Sequence, residues 1–329
     1  MGLCAKKNKR FSRNMVACLW IVIALISVLS VGAMADRSSV VMPLAEKSLL
    51  LDISFAGQDR IVTVGERGHV LLSDDHGDSW RQVVTPTEST LTTVFFLNEK
   101  MGWAAGHDAV ILITADGGES WQKQYFDPGI EKPIMDIGFR DSDFGIAVGA
   151  YGLYLETRDG GKTWEDKYFE SLDDPDFGLA HFNALTFVDN DTLFMAGEAG
   201  FLARSFDAGK TWEPLAKVYP GSYFSALVTR EKTLIVCGLR GNAFRSTDTG
   251  ESWTPISTGT TATFNGCIQG ESGKIILAGL GSTLLVSNDD GRQFVRIQRK
   301  DRISIASVAS VDENTLVIAG EGGVRKINY

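Results

Sequence analysis

Short apolar runs, separated by glycine turns and polar hairpins, recur along the chain from residue 49 to its end. Residues 61–65 are a typical run, in which mostly β-branched side chains lead to a glycine, and the apolar stretch 69–72 follows after a short polar turn. A further apolar run, such as residues 50–55, precedes each unit. Runs of this length and composition predict β-strands, and no stretch after residue 35 keeps the 3.6-residue apolar period of an amphipathic helix.

A polar motif, Ser/Thr-x-Asp-x-Gly-x-x-aromatic, follows six of these units. Its first copy runs from Ser73 to Trp80, and its aspartates recur about every 41 residues, with a longer gap of 48 between Asp159 and Asp207. The glycine suits a tight hairpin because it tolerates positive φ, and the aspartate can accept hydrogen bonds from the turn. We therefore predict that these aspartates are structural, neither catalytic nor calcium-binding. They are Asp75, Asp116, Asp159, Asp207, Asp248 and Asp289.

Each unit of about 41 residues thus contains four strands, which is typical of a β-propeller blade. Seven first strands and six hairpin motifs predict an all-β, seven-bladed β-propeller of four-stranded antiparallel blades over residues 36–329. The last unit ends at Tyr329 without a hairpin motif, so its blade lacks an outer strand. Residues 39–44 are apolar and belong to no unit. We expect them to supply the missing strand and close the ring, with Pro43 tolerated at an outer edge.

The first 35 residues have the order of a secretory signal peptide. Five basic residues precede residue 14, the stretch 14–35 is uncharged, and Ala33-Met34-Ala35 comes directly before Asp36. The small residues favour cleavage there, although an uncharged stretch this long can also serve as an uncleaved anchor. Under either interpretation, we expect residues 36–329 to lie outside the cytoplasm.

Composition excludes several classes of protein. Of the 329 residues, 44% are hydrophobic and 10% aromatic, which is enough to bury a core. The net charge is −9, and five of the 32 bases lie in the export segment, so the remainder is acidic and unsuited to nucleic acid. The four histidines form no zinc motif, and we expect no metal, no cofactor and a monomer. Cys237 and Cys267 are either a disulfide or two buried thiols, and the sequence does not decide between them.

An enzyme built on a propeller would gather its catalytic groups where the glycine turns and the loops between blades converge. Acids in those turns keep a glycan-active propeller open as the alternative function. However, no Arg-Ile-Pro signature of sialidases and no Gly-x-Ser-x-Gly nucleophile elbow occurs. No nucleophile, base and orienting group can be named together, which favours a non-catalytic protein. The acids are Glu66, Asp108, Glu198 and Glu321.

The tandem hairpin motifs, each preceded by a glycine turn and an apolar strand, resemble those of Asp-box (BNR) propellers. The copy from Gly149-Ala150-Tyr151-Gly152 to Asp159-Gly160-Gly161-Lys162-Thr163-Trp164 is similar to the photosystem II stability and assembly factor family. The resemblance covers about residues 49–329. It implies a seven-bladed scaffold, exported to the periplasm or a thylakoid lumen, that binds a membrane protein or its assembly intermediate without catalysis. It also implies an arginine patch on one face, where this chain has only Arg67 and Arg240 among turns of mixed character.

We expect the partner to dock on the face that carries the glycine turns and the loops between blades. This face varies from blade to blade, whereas the opposite face repeats the same hairpin six times, and specific recognition requires variety. The loop 165–181, which accounts for the longer repeat, holds aromatic residues among acidic ones, and a shorter loop at 125–133 is similar. The predicted partner-binding residues are Arg67, His107, Tyr151, Glu198 and Arg240 in the turns, and Tyr168, Phe169 and Phe177 in the loop.

Overall fold

The computed structural model describes residues 37–174 and 178–329. The predicted export segment, residues 1–35, and the loop residue Phe177 lie outside the described residues. From Ser38 to Tyr329 the chain forms one compact unit of seven antiparallel sheets, six with four strands and one with three. The described part of the chain contains strands and short 3-10 turns and no α-helix. The all-β, seven-bladed propeller predicted from the sequence is confirmed.

Within each blade the strands follow the order of the chain, and the first strand lines the central channel. Blade 1 contains β1 (Leu50–Ala56), β2 (Arg60–Gly65), β3 (Val70–Ser73) and β4 (Arg81–Val83); blade 2 contains β5 (Leu91–Phe96), β6 (Gly102–Gly106), β7 (Ile111–Thr114) and β8 (Gln122–Tyr125); blade 3 contains β9 (Ile134–Phe139), β10 (Gly145–Gly149), β11 (Tyr154–Thr157) and β12 (Glu165–Asp166). Blade 4 contains β13 (Phe182–Phe187), β14 (Leu193–Gly197), β15 (Leu202–Ser205) and β16 (Glu213–Pro214); blade 5 contains β17 (Tyr223–Val228), β18 (Leu234–Gly238), β19 (Ala243–Ser246) and β20 (Thr254–Pro255). Blade 6 contains β21 (Phe264–Gln269), β22 (Ile275–Gly279), β23 (Thr283–Ser287) and β24 (Val295–Gln298), and blade 7 contains β25 (Ile305–Ser310), β26 (Thr315–Gly320) and β27 (Gly323–Asn328).

The 3-10 turns fall into two groups. Six occupy the glycine turns between the second and third strands: Glu66–Gly68, His107–Ala109, Ala150–Gly152, Glu198–Gly200, Leu239–Gly241 and Leu280–Ser282. The others are Ala45–Lys47, before β1, and Pro128–Ile130 and Glu170–Leu172, in the loops between blades.

The hydrophobic core is divided among the seven contacts between neighbouring blades. Each of the seven core clusters combines residues from two adjacent blades; the cluster between blades 2 and 3, for example, stacks Trp103 on Phe139 with ring centroids 3.5 Å apart. Because both faces of each blade are covered, the second strands are buried along almost their whole length and do not alternate between buried and exposed positions. The blades are therefore held together mainly by side-chain packing.

The hairpin motifs have the structural role that their residues predict. In the first copy, Asp75 accepts hydrogen bonds from the Ser73 hydroxyl at 2.8 Å and from the Ser79 backbone N–H at 2.9 Å, while Gly77 adopts a φ of +87°. The Ser79 hydroxyl donates to the second carboxylate oxygen. The first two bonds recur in all of the other copies. The hydroxyl bond to the second oxygen recurs in copies 2 to 5, whereas the sixth copy has Gln293 at that position. Each aspartate carboxylate thus accepts hydrogen bonds from its own turn.

These hydrogen bonds also shift the ionisation of the motif aspartates. The Ser79 hydroxyl, followed by the backbone N–H of the same residue, lowers the pKa of Asp75 well below its usual range. The Ser252 hydroxyl makes the largest contribution at Asp248 and lowers the pKa of that carboxyl to about 2. The pKa values of the remaining four motif aspartates are lowered as well. All six carboxylates are therefore charged at neutral pH.

The expected outer strand at residues 39–44 is not formed, and that prediction is wrong. The segment lies along blade 1 instead: the Ser39 N–H donates to the Thr85 carbonyl at 2.9 Å, and the Met42 N–H donates to the Gln82 side chain at 2.7 Å. The reason is that blade 1 offers both backbone and side-chain partners at this point. Pro43 and the 3-10 turn Ala45–Lys47 then redirect the chain into β1.

Blade 7 consequently keeps three strands, and the ring closes through side chains. A core cluster joins Leu50 and Ile61 of blade 1 to Val317 and Ala319 of blade 7. At the outer side, the Lys326 ammonium lies 3.0 Å from the Asp78 carboxylate of the blade 1 hairpin. The outer edge of the last strand is left without a partner strand among the described residues.

The two cysteines of the propeller are free thiols in the structure. Cys237 and Cys267 are buried in the same core cluster, between blades 5 and 6. A hydrogen bond with Cys267, together with burial, raises the pKa of the Cys237 thiol. Of the two alternatives that the sequence allowed, a disulfide or two buried thiols, the structure has the two buried thiols.

Candidate functional site

The glycine turns form one face of the propeller together with the loops that connect the blades. In all seven blades the first residue of the turn donates its N–H to the carbonyl just before the first strand, at 2.9–3.2 Å. In blade 1 this bond joins Glu66 to Leu49. The turn glycine also packs directly against the backbone before the first strand, since a Cβ on Gly65 would collide with the Leu49 carbonyl oxygen. The face is therefore a rigid scaffold for its side chains.

The second residue of each turn stands at the tip and adopts a left-handed conformation in six blades. Arg67, Tyr151 and Arg240 have φ values of 57°, 52° and 57°, and all three side chains are exposed. A side chain at such a φ costs about 1 kcal/mol relative to glycine, which blade 6 uses at this position as Gly281. Large side chains that are held at this cost and project into solvent are suited to contact a partner.

The structure brings two of the predicted turn residues together through His181. The Tyr151 and His181 rings meet edge to face with centroids 4.5 Å apart, and His181 Nε2 lies 3.8 Å from Glu198 Oε2. Lys132, from the loop before blade 3, donates to the Tyr151 carbonyl at 3.2 Å. Blades 3 and 4 thus present an aromatic, acidic and basic group within one small area.

The long loop before blade 4 exposes one of its aromatic residues and packs another, half-buried, against the core. Tyr168 is 62% exposed, and its hydroxyl donates to Asp173 at 2.8 Å. Phe169 packs against the core cluster between blades 3 and 4, with its ring centroid 5.0 Å from that of Tyr154. Phe169 therefore contributes to the fold more than to an exposed surface, and Phe177 lies outside the described residues.

The remaining predicted residues are distributed around the ring. Arg67 lines a cavity of about 420 Å³ with Val40, Met42, His69 and Glu88, so the N-terminal segment forms one of its walls. His107 on blade 2 and Arg240 on blade 5 are exposed at their own turns. The seven predicted residues that the structure describes therefore do not form one pocket, and the candidate site is a broad face with its densest part at blades 3 and 4.

The central channel is lined by polar and apolar residues of the first strands and has a volume of about 240 Å³. Asp52 accepts hydrogen bonds from the backbone N–H of Val94 at 2.8 Å and from the Ser307 hydroxyl at 2.8 Å. Asp136 accepts from the Leu185 N–H at 2.8 Å. Each carboxylate therefore links its own blade to a neighbouring blade.

Deep placement in the channel changes the ionisation of both carboxyls. Burial raises the pKa of Asp136 to about 7, and the charge of Asp52 acts in the same direction, while the N–H of Leu185 opposes the shift. Burial also raises the pKa of Asp52. The sequence analysis missed both residues, because their partners lie on other blades and no local motif marks them.

The structure does not assemble the acids of the glycan-active alternative. Glu66, Asp108, Glu198 and Glu321 lie on four different blades. Asp108 accepts from the Ser89 hydroxyl at 2.6 Å, and Glu66 accepts from the Leu49 N–H at 3.3 Å. Within residues 37–174 and 178–329, no three His, Cys, Asp or Glu side chains are grouped so that they could hold a metal ion. The same residues contain no helix of the length and apolar character that a membrane span requires.

Residues 32–130 and 124–277 match the family described as photosynthesis system II assembly factor YCF48. Two curated relatives are both described as photosystem II stability/assembly factor HCF136, chloroplastic. The protein of Cyanidioschyzon merolae is 40% identical over 53 residues, which are 16% of this chain and 12% of the relative. That of Arabidopsis thaliana is 29% identical over 97 residues, which are 27% of this chain and 24% of the relative. The matched stretches thus span at most about a quarter of these relatives.

A solved structure described as YCF48 bound to D1 peptide is similar over the whole propeller. It has a TM-score of 0.69, and the match covers 90% of this chain and 96% of that chain. The sequence identity is 20%. At this identity the likeness shows the shared seven-bladed fold.

Proposed function

Because the chain belongs to the photosynthesis system II assembly factor YCF48 family, we propose that it is a non-catalytic scaffold that holds a membrane protein or its assembly intermediate. The observation that carries the proposal is the family match over most of the propeller. The solved YCF48 structure with a D1 peptide supports a peptide segment of a membrane protein as the bound element. The side chains of the proposed docking face then indicate which kind of partner segment fits it.

The proposed docking surface is the face of the glycine turns, centred on Tyr151, Tyr168 and Arg240. Exposed aromatic and arginine side chains on a rigid scaffold carry most of the affinity in protein interfaces. Glu198 and Asp173 lie close to the two tyrosines and make the surface mixed in charge. A partner segment with both basic and apolar side chains fits this part of the face.

Replacement of Tyr151, Tyr168 and Arg240 together by Ala is expected to leave the melting temperature nearly unchanged, because these side chains are exposed. Recovery of the membrane partner from solubilised membranes is expected to fall at least tenfold, since interface anchors of this type contribute about 2 kcal/mol or more each. The measurement is a pull-down with the tagged protein, with mass spectrometry to identify the integral membrane protein that is recovered.

The matched control changes three exposed residues of the opposite face, Asp59, Lys162 and Lys210, to Ala. We expect this variant to recover the partner as the parent does. If the control loses the partner and the first variant keeps it, the docking face is the one that carries the hairpin motifs, and the assignment is reversed.

We propose that the chain acts outside the cytoplasm, after export directed by its first 35 residues. This proposal is supported by the basic segment, the uncharged stretch 14–35 and the Ala-x-Ala site before Asp36. Mass spectrometry of the N-terminal peptide of the exported protein is expected to begin at Asp36. An N-terminus upstream of residue 14 would instead show that the segment is retained as an anchor.

A further inference from the structure

The outer edge of blade 7 differs from the outer edge of the other blades. β27 has six residues, and no fourth strand pairs with it among the described residues. The outermost strands of the other blades have two to four residues, and two of them contain a proline, Pro214 and Pro255. Short strands and prolines protect an outer edge from pairing with a further strand. β27 has neither protection.

The register of the complete blades shows which backbone groups of β27 face outward. In blades 3, 4 and 5 a carbonyl near the start of the third strand accepts a hydrogen bond from the outer strand, at 2.8–2.9 Å. Val324 holds this position in blade 7, because it pairs with Ala319 as its counterpart Ala243 pairs with Cys237. Alternate residues of a strand direct their backbone groups to the same side, so those of Lys326 face outward as well.

The nearest segments of the chain approach this edge without pairing with it. The turn Ala45–Lys47 lies against the start of β27: a Cβ on Gly323 would collide with the Glu46 carbonyl oxygen, and Ala45 belongs to the same core cluster as Val324. The segment before that turn bonds to blade 1 instead. No backbone hydrogen bond in the described part of the chain reaches the outward side of Val324 or Lys326.

Basic side chains outnumber acidic ones around this edge, although the chain as a whole has a net charge of −9 and the Asp78 carboxylate of blade 1 pairs with Lys326. Asp301 lies 3.4 Å from the Arg325 guanidinium and 3.1 Å from that of Arg299, so the end of blade 6 lies against β27. Residues 295–302 and 323–329 contain six basic side chains and one acidic one. The basic residues are Arg296, Arg299, Lys300, Arg302, Arg325 and Lys326. An acidic segment is the complement of this surface.

We propose that the outer edge of β27 binds an extended, acidic segment of a partner protein, which becomes the fourth strand of blade 7. Main-chain hydrogen bonds to Val324 and Lys326 supply the binding, and the basic side chains select for acidic residues, as in other cases of strand addition. The site lies on the rim of the ring and is separate from the face of the glycine turns. It gives the scaffold a second contact with its assembly.

The test uses two synthetic eight-residue peptides, one alternating Glu and Val and the other alternating Lys and Val, added to the exported protein as isolated from cells. The Glu peptide is expected to bind and to slow amide hydrogen exchange at Val324 and Lys326. The Lys peptide is expected not to bind. Equal binding of the two peptides, or no binding of the Glu peptide, would overturn the proposal.

Two variants at position 326 distinguish the contribution of the backbone N–H to binding from that of the side chain. Lys326→Pro removes the outward N–H and is expected to weaken binding of the Glu peptide at least tenfold. Lys326→Ala keeps that N–H and is expected to bind within about threefold of the parent. Equal affinities of the two variants contradict the proposal. If the proline variant does not fold, the exchange measurement on the parent protein decides.

Other occupants of the edge give distinct results. If the amides of Val324 and Lys326 are already protected without peptide, and this protection depends on protein concentration, a second copy of the chain occupies the edge. If the protection is independent of concentration, another part of the same chain covers it. Either result overturns the proposal.

Discussion

Replacement of Asp52 by Ala is expected to lower the free energy of unfolding by about 2–3 kcal/mol. Its carboxylate accepts hydrogen bonds from the backbone of blades 1 and 2 and from Ser307 of blade 7. Each donor that loses its acceptor in a buried site costs about 1–3 kcal/mol. Water in the channel and relief of the buried charge offset part of this loss. Asp52 matters because blade 7 closes the ring without a shared strand.

The measurement is thermal or urea unfolding of the parent and of two variants. The control, Asp59→Ala, removes a carboxylate that is 85% exposed, and its effect is expected to stay within about 0.5 kcal/mol. Hydrogen exchange at the Val94 amide is expected to accelerate in the Asp52 variant only. A melting temperature equal to that of the parent would show that closure depends on the apolar cluster alone.

The blades could be predicted from the sequence because every feature that defines them is local. The glycine of each turn, the β-branched runs and the hairpin motif lie within about 41 residues of one another, and backbone geometry requires each of them where it stands. The predicted first strand 50–55, for example, begins at the same residue as β1 and ends one residue before it. The bonds within the hairpin motif followed from the same local chemistry.

The features that the sequence did not reveal depend on contacts between distant residues. Asp52 and Ser307 are 255 positions apart, and nothing near either residue indicates that they meet. Residues 39–44 have the apolar character of a strand, but Gln82 and Thr85 of blade 1 offered them better partners than β27 did. Phe169 resembled a binding residue because it stands in a loop, whereas its ring fills a gap beside Tyr154.

The docking face itself is still a prediction, which rests on the variation among the turns. The structure shows that Tyr151, Tyr168 and Arg240 are exposed there. The contact of Tyr151 with His181 could not be predicted, because it depends on how the loop before blade 4 returns to the turn of blade 3. The binding role of all these residues remains a prediction.

The stability of the protein is expected to be highest between about pH 4 and pH 5, as the result of two opposing groups of aspartates. In the folded state the pKa of Asp136 is about 7, above the ordinary value of 3.8, so folding takes up a proton between these values. The free energy of unfolding therefore falls as the pH rises from about 4 to about 7, by on the order of 2–4 kcal/mol. The six hairpin aspartates have lowered pKa values, so their contribution is present above about pH 4 and is lost as the pH falls further.

Unfolding by urea at a series of pH values tests this profile. The variant Asp136→Asn tests the decline in stability between pH 5 and pH 7. The amide is uncharged at every pH, so the decline between pH 5 and pH 7 is expected to shrink by at least half in this variant. The remainder belongs to Asp52, the other carboxyl of the channel, whose pKa is also raised by burial. Asp59→Asn, on the exposed surface, is expected to keep the profile of the parent. An unchanged decline in the Asp136 variant would show that this carboxyl is already charged in the folded protein at pH 5, and that its bonds to Leu185 and Ile137 outweigh its burial.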